Sequence, residues 1–230
     1  MNQAITQADE LTAPEFDVSE RSFDAPTRRT PLRKRLFDVT IAAPALIIAA
    51  PVIGALALAS AWTFRAAPVF EQTRLGRGGK VFRFYKIRTL PTIAPDTADK
   101  YQLRSLDLPH FSRFVRFRHL DELPQLLLVL SGKMSLVGPR PEMPTLADSF
   151  DPRFVRDRLA VQPGCTGLWQ VSIRARNLIG EHPEFDRYYL ENWTLRLDAW
   201  ILYRTVLAMA THDEIASVSD VPRWTGAKPR

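Results

Sequence analysis

Between Val39 and Phe64 the chain runs for 26 residues without a charge. As a straight helix this run would be roughly 39 Å long at 1.5 Å per residue. A bilayer core asks for only about 20 residues, so the run predicts contact with a membrane. Pro51 stands almost at its middle. Proline has no N–H to donate and its ring clashes with the preceding turn, which predicts a kink. Each limb then measures about 18–20 Å, too short to cross alone. Both flanks are basic, with Arg28, Arg29, Arg33, Lys34 and Arg35 before the run and Arg65, Arg74, Arg77 and Lys80 after it. Positive residues beside membrane segments stay on the cytoplasmic side. The expectation is a re-entrant helix-break-helix that turns at Pro51 and leaves by the face it entered. Its opened backbone would find partners in the protein or in water.

Two other readings compete for this stretch. A Pro-kinked helix could cross once, since transmembrane helices tolerate proline. T-R-R-T-P-L-R at 27–33, with A-L-A-S-A at 57–61, loosely has the form of a cleaved export signal. The apolar region is much longer than the roughly 7–15 residues of such signals.

The rest of the chain is basic and polar. The net charge is +6 over 230 residues, and the sequence pI is about 9.8. Such a balance favours anionic partners: nucleic acid, an acidic membrane or phosphorylated substrates. The single cysteine, Cys165, excludes an internal disulfide framework, and no Cys/His cluster has zinc spacing. Residues 1–30 begin acidic and carry few large apolar side chains, the composition of a disordered tail. Residues 69–89 predict a β-hairpin: V-F-E-Q-T-R-L and K-V-F-R-F-Y-K-I-R-T flank G-R-G-G at 76–79, and the second run alternates. G-R-G-G-K lacks the Ser or Thr of a phosphate loop, and no helical pattern follows it.

From Arg65 to Arg118 there are twelve Lys/Arg and four Asp/Glu, a local net of +8. Phe82, Phe84, Tyr85, Phe111, Phe114 and Phe117 are interleaved with them. A solvated basic face is the plain explanation. Basic residues with aromatics also suit an anionic lipid surface, where the aromatics settle at the interface. Nucleic acid would use the same residue types, but no nucleic-acid module is present, and none is expected as a partner.

H-L-D-E-L-P-Q at 119–125 places adjacent carboxylates, Asp121 and Glu122, at the start of an apolar stretch that predicts a short helix over 121–131. Pro124 suits its first turn. On residues alone, two acids at a helix start could merely stabilise it. Arg113, Arg116 and Arg118 precede them, however, and S-L-V-G-P-R-P at 135–141 follows. L-W-Q-V at 168–171 is strand-like. A helical, amphipathic element runs from about Pro183 to Met209.

These motifs occur in a telling order: K-R-L-F-D at 34–38, the proline-broken run, Y-K-I-R-T at 85–89, L-D-E-L-P-Q-L at 120–126, M-S-L-V-G-P-R-P at 134–141, P-G-C-T-G-L-W-Q-V at 163–171 and L-R-L-D at 195–198. The chain resembles the bacterial monotopic phosphoglycosyl transferases over about residues 31–210. The resemblance implies transfer of a phosphosugar from a UDP-sugar to a polyprenyl phosphate such as undecaprenyl phosphate, with release of UMP, at the cytoplasmic face of the bacterial inner membrane. It implies Asp121 as a nucleophile forming a covalent phosphosugar intermediate. Glu122 would be its partner and the ligand of a Mg²⁺ ion. Lys86, Arg88, Arg116 and Arg140 would lie near the phosphates. The fold class implied is mixed α/β, mainly α: a tail (1–30), the basic flank and re-entrant hairpin (31–64), a small cytoplasmic catalytic domain with a β-hairpin and interfacial amphipathic helices (65–210), and a C-terminal tail (211–230). A homo-oligomer is compatible with it.

Charge chemistry agrees. A carboxylate is ionised at neutral pH. Arginines and Mg²⁺ neutralise phosphate oxygens as charge develops during transfer, and Mg²⁺ often keeps few protein ligands. Arg140 could instead pair with Glu142, and Asp198 with a nearby arginine. His119 stands where the family usually has Ser and is assigned no role; Cys165 is assigned to packing. Arg118, Ser112, Leu128, Lys133 and Ala50 also depart from the family pattern. An alternative to the enzyme is a catalytically inactive membrane-anchored scaffold that recruits other polysaccharide enzymes.

Overall fold

The computed structural model describes residues 23, 25–92, 108–211 and 213–227. The expected tail therefore lies largely outside the described residues, as do 93–107. The described chain is mixed α/β and mainly helical. Helix α1 spans Leu32–Phe64, and an antiparallel hairpin follows, β1 (Val69–Leu75) with β2 (Val81–Ile87). The predicted hairpin forms, with Val69 opposite Ile87 and Leu75 opposite Val81. Its turn uses Gly78 and Gly79 at φ 72° and 76°, a region glycine enters without steric cost.

Helix α1 continues through Pro44 and Pro51 instead of dividing into two. Each proline withholds one N–H from the carbonyl a turn earlier. The helix is long and apolar enough to cross a membrane, and most of its apolar part faces outward. Ile47 and Ile48 are 75% and 76% exposed, and Trp62 is 87% exposed. Outward-facing residues of this size in an unbroken run mark a membrane-associated helix.

The two ends of α1 hold the rest of the protein. Near the first, Asp38 accepts hydrogen bonds from the Ser135 hydroxyl at 2.8 Å and the Leu136 N–H at 3.2 Å. Arg35 donates to the carbonyls of Val129 and Leu130 at 2.5 and 2.6 Å. Both carbonyls lie at the C-terminal end of α3 (Gln125–Leu130), the natural place for a cation. Near the other end, Ser60 donates to the carbonyl of Arg88 at 2.8 Å.

A second two-stranded sheet is separate from the first. Strand β3 (Ser135–Val137) runs parallel to β4 (Gly164–Thr166), with Val137 opposite Thr166. The strand-like reading of 168–171 is corrected: those residues form a turn after β4. Helices α1 and α3 pack on this sheet, and the body is completed by α2 (His110–Phe117), α4 (Pro144–Ala147), which packs on β1, and α5 (Pro152–Leu159). The element expected over 183–209 is two helices, α6 (Pro183–Asn192) and α7 (Leu195–Thr211). They part at Thr194, whose hydroxyl accepts from the Leu197 N–H at 3.0 Å and so caps α7.

Met134, Leu168, Phe154, Phe185, Leu197 and Ile201 are buried between these elements. Residues beyond 211 add Ile215, Val221 and Ala227 to this core. Residues 28–30 also pack against the body, through the Arg28 N–H on the Ala160 carbonyl and Thr30 on Gln162. Single apolar residues between polar ones carry no periodicity, which is why both stretches read as tails.

Candidate active site

The site begins with a change of backbone direction. Helix α2 ends at Phe117, and His119 takes φ 53°, a left-handed conformation uncommon outside glycine. The chain then tightens into one 3₁₀ turn over Leu120–Glu122, and α3 starts only at Gln125. The expected helix over 121–131 is thus shortened at its start, with Pro124 as its cap residue. The consequence is functional: Asp121 turns inward, 5% exposed, while Glu122 reaches toward β2 and the loop after β3.

Glu122 receives two cations. Lys86 Nζ lies 2.6 Å from its Oε1, and Arg140 Nη2 lies 3.3 Å from the same oxygen. Burial alone would raise the carboxyl's pKa; Lys86 and Arg140 override it and hold Glu122 well below the usual range. Asp121 moves the other way. Burial raises its pKa, the Lys86 ammonium opposes that rise, and the neighbouring Glu122 charge adds to it. Two adjacent carboxylates whose environments separate them are a recurring catalytic arrangement.

The loop bearing Arg140 is fixed from both sides. The Gly138 N–H donates to the Thr166 carbonyl and the Gly164 N–H to the Pro139 carbonyl, each at 2.9 Å. Arg158 donates to the Arg140 carbonyl at 2.7 Å and bonds Asp186 at 2.8 Å. Glu142 sits between Arg74 at 3.5 Å and Arg158 at 3.6 Å. The expected alternative, Arg140 with Glu142, gives way to Arg140 with Glu122.

Of the sequence-predicted residues, the structure brings Lys86, Asp121, Glu122 and Arg140 together. Arg116 stands at their edge, 3.4 Å from the Thr89 hydroxyl, and its charge helps draw down the Asp121 pKa. Arg88 is turned away: its Nε donates to the Ala67 carbonyl at 2.8 Å and its guanidinium lies over Phe70. Asp198 pairs with Lys34, not with an arginine. Burial pushes the Cys165 thiol up, which fits packing and not nucleophilic chemistry.

A cleft of about 330 Å³ opens beside the carboxylates. Arg116, His119, Glu122 and Arg140 line it, together with Cys165, Thr166, Gln170, Thr205 and Glu214. Thr205 and Glu214 give no sign in the sequence, because a helical threonine and an acid in an unpatterned stretch look like surface, whereas Gln170 falls inside the P-G-C-T-G-L-W-Q-V motif without a role of its own. Among the described residues no three His, Cys, Asp or Glu side chains form a metal cage. Magnesium does not ask for one: it binds one or two carboxylates, water and substrate phosphates. An ionised Glu122 beside Asp121 fits that donor set.

Residues 29–212 match the bacterial sugar transferase family, and the chain belongs to it. It is 35% identical over 200 residues to the undecaprenyl-phosphate galactose phosphotransferase of Salmonella typhimurium, covering 78% of this chain and 41% of that protein. It is 37% identical over 191 residues to the UDP-glucose:undecaprenyl-phosphate glucose-1-phosphate transferase of Caulobacter vibrioides, covering 79% and 71%. The uncharacterized sugar transferase EpsL of Bacillus subtilis is 37% identical over 199 residues, covering 84% and 96%. The chain thus spans about two fifths of the Salmonella relative and nearly all of the Bacillus one.

Proposed function

We propose that this protein moves a sugar 1-phosphate from a UDP-sugar to a polyprenyl phosphate and releases UMP. The observation that carries the reading is Glu122, held ionised between Lys86 and Arg140 directly beside the buried Asp121. The names of the Salmonella and Caulobacter relatives supply the substrate class: undecaprenyl phosphate as acceptor and, for the latter, UDP-glucose as donor.

In this reading an Asp121 carboxylate oxygen attacks the sugar-bearing phosphorus. The new P–O bond to Asp121 forms as the P–O bond to UMP breaks, leaving the phosphosugar on the enzyme. An oxygen of the acceptor phosphate then attacks the same phosphorus and returns Asp121 as a free carboxylate. Burial, by raising Asp121's basicity, strengthens it as a nucleophile once ionised. Lys86, Arg116 and Arg140 supply positive charge where the diphosphate must lie. Glu122 would hold Mg²⁺, which when bound neutralises phosphate oxygens.

The membrane reading rests on α1. Asp38 near its start and Ser60 near its end both bond to the one catalytic body, while Ile47, Ile48, Val52 and Leu58 between them are exposed. A helix dipping into the cytoplasmic face of the inner membrane and returning near Pro51 accounts for both facts. Phe114 and Phe117, exposed on α2 among Arg113, Arg116 and Arg118, suit an anionic lipid surface. Transfer there would be the first membrane step of exopolysaccharide or glycoconjugate assembly.

The test is UMP release by detergent-solubilised protein across a set of UDP-sugars, with and without polyprenyl phosphate and Mg²⁺. Without acceptor, one UMP per enzyme is the expected burst; with acceptor, turnover. UMP release in no case would leave the inactive scaffold as the better account.

A further inference from the structure

Among the described residues that line the cleft, Gln170 is the one with buried side-chain polar atoms that lack a hydrogen-bond partner. It lines the cavity that also contains Glu122 and Arg140. Both amide atoms, Oε1 and Nε2, are withdrawn from solvent, and neither has a hydrogen-bond partner among the described residues. Buried polar groups are nearly always satisfied, and an exception that lines a cleft calls for a partner from outside the protein. The position is also built, not accidental. A Cβ on Gly167 would come 2.6 Å from Gln170 Oε1 and would overlap the Gly138 backbone. Glycine at 167 is what lets the amide lie down against the loop that carries Arg140.

The lining offers two kinds of chemistry. Glu122, Arg116 and Arg140 are charged and suit phosphates and their counter-ion. Thr166 and Thr205 are neutral, and their hydroxyls lie 2.8 Å apart. Gln170 belongs with this neutral set. An amide offers one acceptor and one donor group side by side. It therefore matches a ligand edge that presents a donor beside an acceptor.

Resting on the phosphosugar-transfer reading above, we infer that Gln170 is a specificity-determining residue: its amide hydrogen-bonds a neutral donor–acceptor pair of the nucleotide sugar. Two halves of a UDP-sugar have that chemistry: the uridine, through the uracil imide edge or the ribose diol, and the transferred sugar, through adjacent hydroxyls. The experiment separates them.

The variant is Gln170→Met in the full-length detergent-solubilised protein, since methionine fills similar space without polar atoms. Binding of UDP-glucose, UDP-galactose and UMP is measured by calorimetry, beside UMP release and the thermal midpoint. The expected result is a Kd for UDP-sugars weakened about tenfold, the worth of one net hydrogen bond, with a midpoint that is unchanged or higher. If UMP weakens by the same factor, the partner lies in the uridine half, the uracil imide edge or the ribose diol. If UMP is unaffected and the glucose-to-galactose preference shifts, the partner is the sugar. Unchanged affinities for all three ligands would overturn the inference, as would weaker binding that tracks a fall in the midpoint, because that is a packing role. A wild type that binds UDP-sugars without releasing UMP would defeat the transfer reading alone, and Gln170 would still be judged on Kd. A wild type that binds none would defeat both.

Discussion

Lys34 Nζ lies 2.9 Å from Asp198 Oδ2 and 3.1 Å from Asp38 Oδ1, tying the first turn of α1 to the first turn of α7. Tyr189 and Trp193 also donate to Asp198, at 2.8 and 2.9 Å. Asp38 and Asp198 are 1% and 0% exposed, so one ammonium serves two buried carboxylates. Lys34→Met leaves both uncompensated and is expected to lower stability by about 4 kcal/mol at neutral pH. Burial raises the Asp198 pKa while Lys34 opposes that rise. An acid whose folded pKa is raised opposes folding when ionised, and the variant raises it further. The loss should therefore shrink as pH falls from neutral, which denaturation midpoints across a pH series would read.

Asp121 and Glu122 are neighbours with opposite stability signs. The raised Asp121 pKa means that its charge opposes folding above the ordinary carboxylate range. Asp121→Asn should raise the thermal midpoint at neutral pH while cutting UMP release by roughly 10⁴-fold. The same shift places the acid limb of the wild-type pH–rate profile above the range of an ordinary aspartate, because the attacking form is the carboxylate. A variant that kept wild-type turnover would remove Asp121 as the nucleophile.

Glu122 contributes stability that is fully present above its unfolded pKa and is lost as pH falls through its depressed folded one. Glu122→Gln leaves Lys86 and Arg140 without their counter-charge, and the group is largely buried, with 18% of its side chain exposed. The expected cost is about 2 kcal/mol, at the low end for a broken buried pair because the amide oxygen still accepts. The midpoint of chemical denaturation at neutral pH, set beside the gain from Asp121→Asn, gives the contrast directly.

What could be read beforehand follows from the length of the signal. The apolar run and the alternating hairpin are long, and their periods are unmistakable. Strands β3 and β4 have three residues each, too few to alternate, yet they hold Arg140 in place. The start of α3 was misplaced because Asp121 and Glu122 carry helix-start chemistry, while the turn at His119 winds them into 3₁₀ geometry. The pairing of Lys86 with Glu122 spans 36 positions and became visible only when β2 met that turn. Gln170 lies inside a motif but carries no signal of its own there, because an amide acquires meaning only from what fails to bond it.

The approach of β3 and β4 makes a separate prediction. A Cβ on Gly164 would overlap the Gly138 N–H and carbonyl and the Thr166 carbonyl, all backbone atoms with little room to yield. Gly164→Ala should therefore part the strands and shift the Arg140 loop, raising the KM for UDP-sugar more than it lowers kcat. Gln162→Ala, close by in sequence, is the comparison. It should reduce stability, since the Gln162 amide accepts from Thr30 at 2.7 Å and donates to Gly132, and leave KM near the wild-type value.

The last prediction concerns the direction of α1. A straight helix of 33 residues would be about 50 Å long, more than enough to cross, so length alone does not choose between crossing and returning. The bonds at its ends do bear on the choice. Asp38 and Ser60 are anchored to one folded body, and a body on one side of a bilayer cannot hold both ends of a segment that exits on the other. In a Cys165→Ser background, Arg29→Cys and Ala66→Cys place single thiols beyond the two ends of the helix. A membrane-impermeant maleimide added to intact spheroplasts should reach neither, and should label both once the cells are opened. Labelling of one site from outside would mean that α1 spans the membrane, and the charges of its second flank, Arg65, Arg74, Arg77 and Lys80, would then need a different explanation.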